Sequence, residues 1–102
     1  MADVTFHTQA FKEYMEWQTE DRKILKKINE LIKNIQRNGL MQGIGKPEFL
    51  KHIKAYSRHI DDANRLIYSA DENKNLYIIA CKGHYTQSGK VRGGVITVMR
   101  YN

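Results

Sequence analysis

The sequence predicts an α+β domain in which two helices pack on one side of an antiparallel sheet of three to five strands. Three observations predict it. The chain has 102 residues, the size of one domain. The stretch from about Asp21 to Arg37 holds one apolar stripe at helical spacing. The second half breaks into short runs rich in Tyr, Ile and Leu, separated by turn residues.

Val4–Phe6 reads as a short opening strand. Thr8 stands where it can cap the following helix, because its hydroxyl can accept from an unsatisfied backbone N–H. Phe11, Tyr14, Met15 and Trp17-Gln18 give that helix an aromatic face ending near Gln18. In the second helix Ile24, Leu25, Ile28, Leu31, Ile32 and Ile35 form the stripe. Lys23, Lys26, Lys27, Lys33 and Arg37 fall mainly elsewhere on its wheel. Asn38-Gly39 supplies the stop, since Gly takes a positive φ at little cost. The short join between the helices predicts an antiparallel pair. Gly43-Ile44-Gly45-Lys46-Pro47 is a loop by composition. It does not fit a nucleotide-binding phosphate loop: the spacing is wrong and neither Ser nor Thr follows Lys46. Tyr56–Ile60, Arg65–Ser69 and Leu76–Cys81 then read as an antiparallel meander. Asp61–Asn64 and Asp71–Asn75 are its turns. A last run, Val95–Met99, follows Gly93-Gly94 and is a candidate edge strand.

The balance of charge is basic, with 17 Lys and Arg against 11 Asp and Glu. Its distribution is more telling. From Arg22 to Arg58 there are ten basic residues, opposed only by Glu30 and Glu48, and after Cys81 there is no acid. A surface of this sign suits a polyanion, nucleic acid above all, or an acidic protein partner. A solvated helix face accounts equally well for the lysines of the second helix. Cys81 is the only cysteine, so no disulfide can form within the chain; it reads as a buried strand residue. The histidines His7, His52, His59 and His84 are scattered and do not supply a zinc-site spacing. No stretch is long and apolar enough for a membrane span. The start Met-Ala-Asp-Val-Thr lacks the basic and apolar regions of a signal peptide. The expectation is a soluble, cytoplasmic protein.

A nuclease that cuts RNA without metal can use the 2′-OH beside the scissile phosphate as nucleophile. It needs a base for that proton, an acid for the departing 5′ oxygen, and cations for the phosphoryl charge. Glu or His can be the base, His the acid, and Arg the clamp, whose fork donates two bonds to one phosphate. The second half offers Glu48 after Lys46-Pro47, Arg65 at the start of a strand, and His84-Tyr85 after Lys82-Gly83. Each also has a plainer account. Glu48 can pair with Lys46 or Lys51, and Arg65 with Asp61 or Asp62. His84 can be an ordinary loop histidine, and Tyr85 a core-edge aromatic. RNA binding without catalysis, by stacking on Tyr56, Tyr68 or Tyr85, fits the composition as well.

Longer motifs narrow this. The run Trp17-Gln18 with Asp21–Lys33 resembles the helices of YoeB toxins, in the Txe/YoeB branch of the RelE/ParE superfamily. So do Gly43–Lys51, Tyr56–Ile60, Asn64–Tyr68 and Ala80–Tyr85, in order and nearly without gaps over residues 1–85. The resemblance implies a RelE-like microbial RNase fold and the toxin of a type II toxin–antitoxin pair. Such toxins bind the ribosome and cleave mRNA in the aminoacyl site, without metal or cofactor, by 2′-OH attack, and so inhibit translation. Carried over by motif, Glu48 is the expected general base, His84 the general acid, Arg65 the transition-state clamp and Tyr85 an orienting residue. Lys46, Lys51, Arg58 and His59 are the expected RNA phosphate contacts. Implied partners are a YefM-like antitoxin, the ribosome, mRNA and a second copy of the toxin. ParE-like gyrase inhibitors share the superfamily fold but are not expected to carry this Glu, Arg and His set.

Two departures stand out. The family pattern Ser-Arg-Arg-Ile has His59 here in place of its second arginine. Arg58 cannot simply replace it, because neighbouring strand residues point to opposite faces. The family usually ends at His-Tyr, whereas residues 86–102 continue here as a C-terminal extension. These departures keep an alternative in view, an attenuated or non-catalytic member that binds antitoxin or ribosome without cleaving.

Overall fold

A computed structural model describes residues 3–83. The opening strand, β1 (Val4–Phe6), runs directly into α1 (Thr8–Glu20). His7, not Thr8, is the cap position of α1, in extended conformation and without a side-chain cap. The reason lies in the sheet. The His7 N–H donates to the Ile78 carbonyl at 2.9 Å, so the ladder holds His7 extended and Thr8 becomes the first helical residue.

Asp21 forms the corner between α1 and α2 (Arg22–Asn38). Its backbone N–H donates to the Trp17 carbonyl, closing α1 two residues beyond the expected Gln18. Its carboxylate accepts from the N–H of Lys23 at 3.0 Å and Ile24 at 3.4 Å, capping α2. Tyr14 Oη donates to Asn29 Oδ1 at 2.7 Å, about two turns to either side of the corner, as in an antiparallel helix hairpin. The α2 stripe is buried as expected at Ile28, Leu31, Ile32 and Ile35, with Ile24 and Leu25 packed beside it. Gly39 ends α2 at φ 98°, its N–H donating to the Ile35 carbonyl.

Four strands follow: β2 (Glu48–Leu50), β3 (Ala55–His59), β4 (Arg65–Ala70) and β5 (Leu76–Ala80). They form an antiparallel meander, and β1 joins its far edge, giving the order β1-β5-β4-β3-β2. Two features differ from expectation. The sheet is mixed, because β1 pairs with β5 in parallel. The chain between them, the helix hairpin followed by β2, β3 and β4, supplies the long connection that a parallel pair needs. Strand β2 is not among the strands expected from sequence, because three residues after a Gly- and Pro-containing segment carry too little pattern to show one. The candidate strand Val95–Met99 lies outside the described residues.

The two faces of the sheet have separate cores. Leu66, Tyr68, Leu76 and Ile78 meet Ala10, Trp17 and the α2 stripe. Leu50, Ala55, Ile67 and Ala80, with Ile53 and Ile79, form a smaller cluster on the other face. A bulge governs which residue joins which. Ile67 pairs with Ala80 but Tyr68 with Ile78, leaving Ile79 as the extra residue. Beyond the bulge the alternation is reset, so Ala80 stays with Ile67 and Cys81 turns to the helices.

Candidate active site

Strand register decides which of the expected residues share a face. Glu48 lies opposite Ser57, Ser57 opposite Ile67, and His59 opposite Arg65. Directly paired residues point the same way, as do residues two apart on one strand. Glu48, Ser57, His59 and Arg65 therefore line the face away from the helices, the face of Ile67. Glu48 and Arg65 stand on either side of β3, with backbones on the order of 10 Å apart, enough for a sugar–phosphate unit between them. Lys46 enters at the same end. It has φ 53°, and the His59 N–H donates to the Gly45 carbonyl at 2.7 Å, fastening the loop beside the imidazole. Lys51 sits beyond the other end of β2, so the two lysines flank Glu48.

Arg65 is held by its turn. Nη1 donates to the carbonyls of Asp61 at 2.8 Å, Asn64 at 3.2 Å and Asp62 at 3.5 Å. The bonds go to backbone oxygens, not to the aspartate carboxylates. The Asp61 carboxylate instead accepts from the N–H of Ala63 and Asn64 and from Asn64 Nδ2. The guanidinium is thus oriented by a turn and not neutralised by an ion pair with it.

The His59 imidazole is half-buried, and its pKa lies below the usual histidine value. Burial is the largest cause, followed by the charges of Arg65 and Lys46, which outweigh the opposing pull of Glu48 and Asp62.

Arg58 contradicts its expected role. It points to the helix side and is 0% exposed. Its Nε donates to Tyr68 Oη, Nη1 to Asn34 Oδ1 and the Ile44 carbonyl, and Nη2 to the carbonyls of Gly39, Leu40 and Gln42. The guanidinium is spent inside the protein, wrapped by the loop between α2 and β2, and is not offered to a phosphate. Strand alternation is the reason: if His59 faces the site, Arg58 faces the core. Tyr68 is likewise 0% exposed, which rules it out as a stacking surface for bases.

His84 and Tyr85 lie outside the described residues. The chain up to them is firmly tied. The Cys81 N–H donates to Glu13 Oε1 at 2.8 Å, and Trp17 Nε1 donates to the Cys81 carbonyl at 2.9 Å. Lys82 Nζ bridges Glu16 and Glu20. The Gly83 N–H donates to Asn64 Oδ1, and the Arg65 N–H to the Gly83 carbonyl, both at 2.8 Å. The last described residue is thereby fixed to the backbone of Arg65. Sequence reasoning missed Glu13 and Asn64. An acid on the buried face of α1, between Ala10 and Trp17, was the available signal for the first; Asn64 looked like any other turn residue.

This sheet and face can be compared with known proteins. A sequence model described as the YoeB-like toxin of bacterial type II toxin-antitoxin system matches residues 6–85. The chain belongs to this family. The Escherichia coli (strain K12) toxin YoeB is 43% identical over 79 residues, covering 76% of this chain and 92% of the relative. A solved YoeB dimer from Staphylococcus aureus superposes with a TM-score of 0.77 at 48% identity, over 82% of this chain and 98% of that one. A YoeB–YefM complex from the same organism gives 0.75 at 47% identity, over 83% and 99%. The YoeB-like fold is therefore the one seen here, two helices on a five-stranded mixed sheet.

Proposed function

We propose that this chain is the toxin of a type II pair and acts as a metal-independent, ribosome-dependent mRNA endonuclease. The observation that carries this is the shared face of Glu48, His59 and Arg65, with the Gly83 backbone bonded to Arg65 and Asn64. Family membership supports it, and so does the basic stretch from Arg22 to Arg58.

In the proposed reaction Glu48 takes the 2′-OH proton. The O2′–P bond forms as the P–O5′ bond breaks, leaving a 2′,3′-cyclic phosphate. His84, next in sequence after Gly83, donates a proton to the departing 5′ oxygen. Arg65 meets the charge on the phosphoryl oxygens, with Lys46, Lys51 and His59 on neighbouring phosphates. Tyr85 orients the nucleotide. A YefM-like antitoxin is the proposed inhibitor and a second copy of the chain a proposed partner, because solved relatives include a YoeB–YefM complex and a YoeB dimer.

Induced expression with mapping of mRNA ends tests this. The wild type should arrest growth and produce new mRNA ends, and a Glu48→Ala, His84→Ala double variant should do neither. Equal arrest without new ends would refute the catalytic assignment and favour a toxin that binds without cleaving. Purified protein with labelled mRNA, with and without ribosomes, tests ribosome dependence: cleavage should require them.

A further inference from the structure

One titratable group on the proposed RNA face has a charge that the fold leaves adjustable. His59 is the last residue of β3 and is paired directly with Arg65 on β4. Its own N–H holds the Gly45 carbonyl, which keeps the following Lys46 beside it. Among the described residues the charged groups acting on it are Arg65 from β4, Lys46 from the loop before β2, Glu48 from β2 and Asp62 from the turn before β4. The two cations and the partial burial disfavour a third positive charge; the two acids favour it.

An RNA phosphate between these groups reverses that balance. It brings a negative charge close to Arg65 and Lys46 and offsets their repulsion of a proton on His59. The protonated imidazole then gains an anionic acceptor for a charge-assisted hydrogen bond. Resting on the proposed function above, we propose that His59 is a proton-gated phosphate contact: binding of the RNA backbone to this face takes up a proton on His59, so affinity rises as pH falls.

The sign follows from linkage. The charged form is favoured in the complex, so His59 titrates at higher pH when RNA is bound than when it is not. The extra affinity is full below the titration of the free protein and is lost as pH rises through that of the complex. Each pKa unit between the two states changes affinity about tenfold. Burial and the neighbouring cations lower the free-state titration from the usual histidine value. The effect therefore grows from neutral toward mildly acidic pH.

Binding of the full chain to a short RNA with every 2′ position O-methylated tests this, since such an RNA cannot be cut. Affinity is measured at about pH 5.5 and about pH 7.5, on either side of the usual histidine range. The wild type should bind about tenfold or more tightly in acid. His59→Gln should lose most of that gain, and His59→Arg should bind tightly at both pH values. A proton NMR titration of the wild-type imidazole, with and without this RNA, should show the His59 midpoint moving up on binding. An unchanged midpoint, or a His59→Gln protein that still tightens as much as wild type, overturns the proposal. Arg65→Ala separates the two levels of inference. Binding that ignores Arg65 removes the RNA face and this proposal with it, while binding that needs Arg65 but shows no His59-dependent pH effect removes only the proposal.

Discussion

At the scale of single residues, one position on β3 separates two basic side chains with opposite fates. Arg58 is sealed in the core side and His59 is turned to the candidate site. Among the described residues the buried guanidinium meets neutral acceptors: loop carbonyls, Asn34 Oδ1 and Tyr68 Oη take its donors. The Tyr68 hydroxyl completes the arrangement by accepting from Arg58 Nε at 2.9 Å and donating to the Leu40 carbonyl at 2.6 Å. Burial pushes the Tyr68 pKa up, and the bond from Arg58 pulls against it. Tyr68→Phe keeps the ring but leaves Arg58 Nε without its acceptor and the Leu40 carbonyl with only the 3.5 Å contact from Arg58 Nη2. It should destabilise the protein by about 1–3 kcal/mol, read as a lower urea midpoint. A loss near zero would mean that water replaces the hydroxyl and that the network is not sealed.

At the scale of elements, two ties hold the candidate site to the scaffold. The first is the loop between α2 and β2, folded around Arg58. Gly43 in that loop has φ 114°, and a Cβ there would lie 1.8 Å from Asn34 Oδ1. That oxygen accepts from both Arg58 Nη1 and the Ile44 N–H. Gly43→Ala should therefore cost more than about 1 kcal/mol, combining backbone strain with loss of the Asn34 bonds. Amide exchange at Ile44 should accelerate with it. The second tie joins α1 to the exit of β5. Lys82 Nζ reaches Glu16 at 2.8 Å and Glu20 at 3.0 Å and lies 4.9 Å from the Trp17 ring centre. The bond from Lys82 is the main cause that lowers the Glu16 pKa. Burial draws the Lys82 pKa down, but its bonds to Glu16 and Glu20 outweigh it and leave the pKa raised. A carboxylate with a depressed folded pKa adds stability above its unfolded value and loses it as pH falls through the folded one. A raised lysine adds stability below its unfolded value and loses it in strong alkali. Lys82→Met should thus lower the melting temperature slightly at neutral pH, by the equivalent of less than about 1 kcal/mol for so exposed a pair. The difference from wild type should shrink as the pH falls through the lowered Glu16 pKa, beneath the usual carboxylate value. A gap that persists in acid would assign the effect to packing on Trp17.

At the scale of the whole molecule, the formal net charge is +6. Lys23, Lys26, Lys33 and Arg37 are exposed on α2, and Lys46 and Lys51 are exposed near the candidate site. RNA binding should weaken with salt. For a single strand, each phosphate contact contributes a slope of about −0.7 in log affinity against log salt. Lys46→Ala should make the slope shallower by about that amount, and a Lys23→Ala variant serves as the comparison on α2. An unchanged slope in Lys46→Ala would remove Lys46 from the RNA contacts.

The fold was largely legible in order of residues, because its signals are local. The α2 stripe, the Gly39 stop, the three strands of the meander and the turns at Asp61 and Asp71 each follow from side chains a few positions apart. The expected set of Glu48, Arg65, His84 and Tyr85 came only through the family motifs, since each residue taken alone had a plainer account; the structure brings Glu48 and Arg65 to one face, and His84 and Tyr85 lie outside the described residues. Tertiary structure decided what depends on partners distant in sequence. The parallel placement of β1 rests on a strand 72 positions away, and β2 exists because β3 returns alongside it. The fate of Arg58 rests on the same kind of contact, with register turning it toward Asn34 and the loop carbonyls while turning His59 toward Arg65. Residue order determined that this chain would carry two helices, a meander and a basic surface. Only the pairing of strands decided which charges face the candidate site and which are consumed within the protein, because a strand alternates its side chains and the register chooses the face.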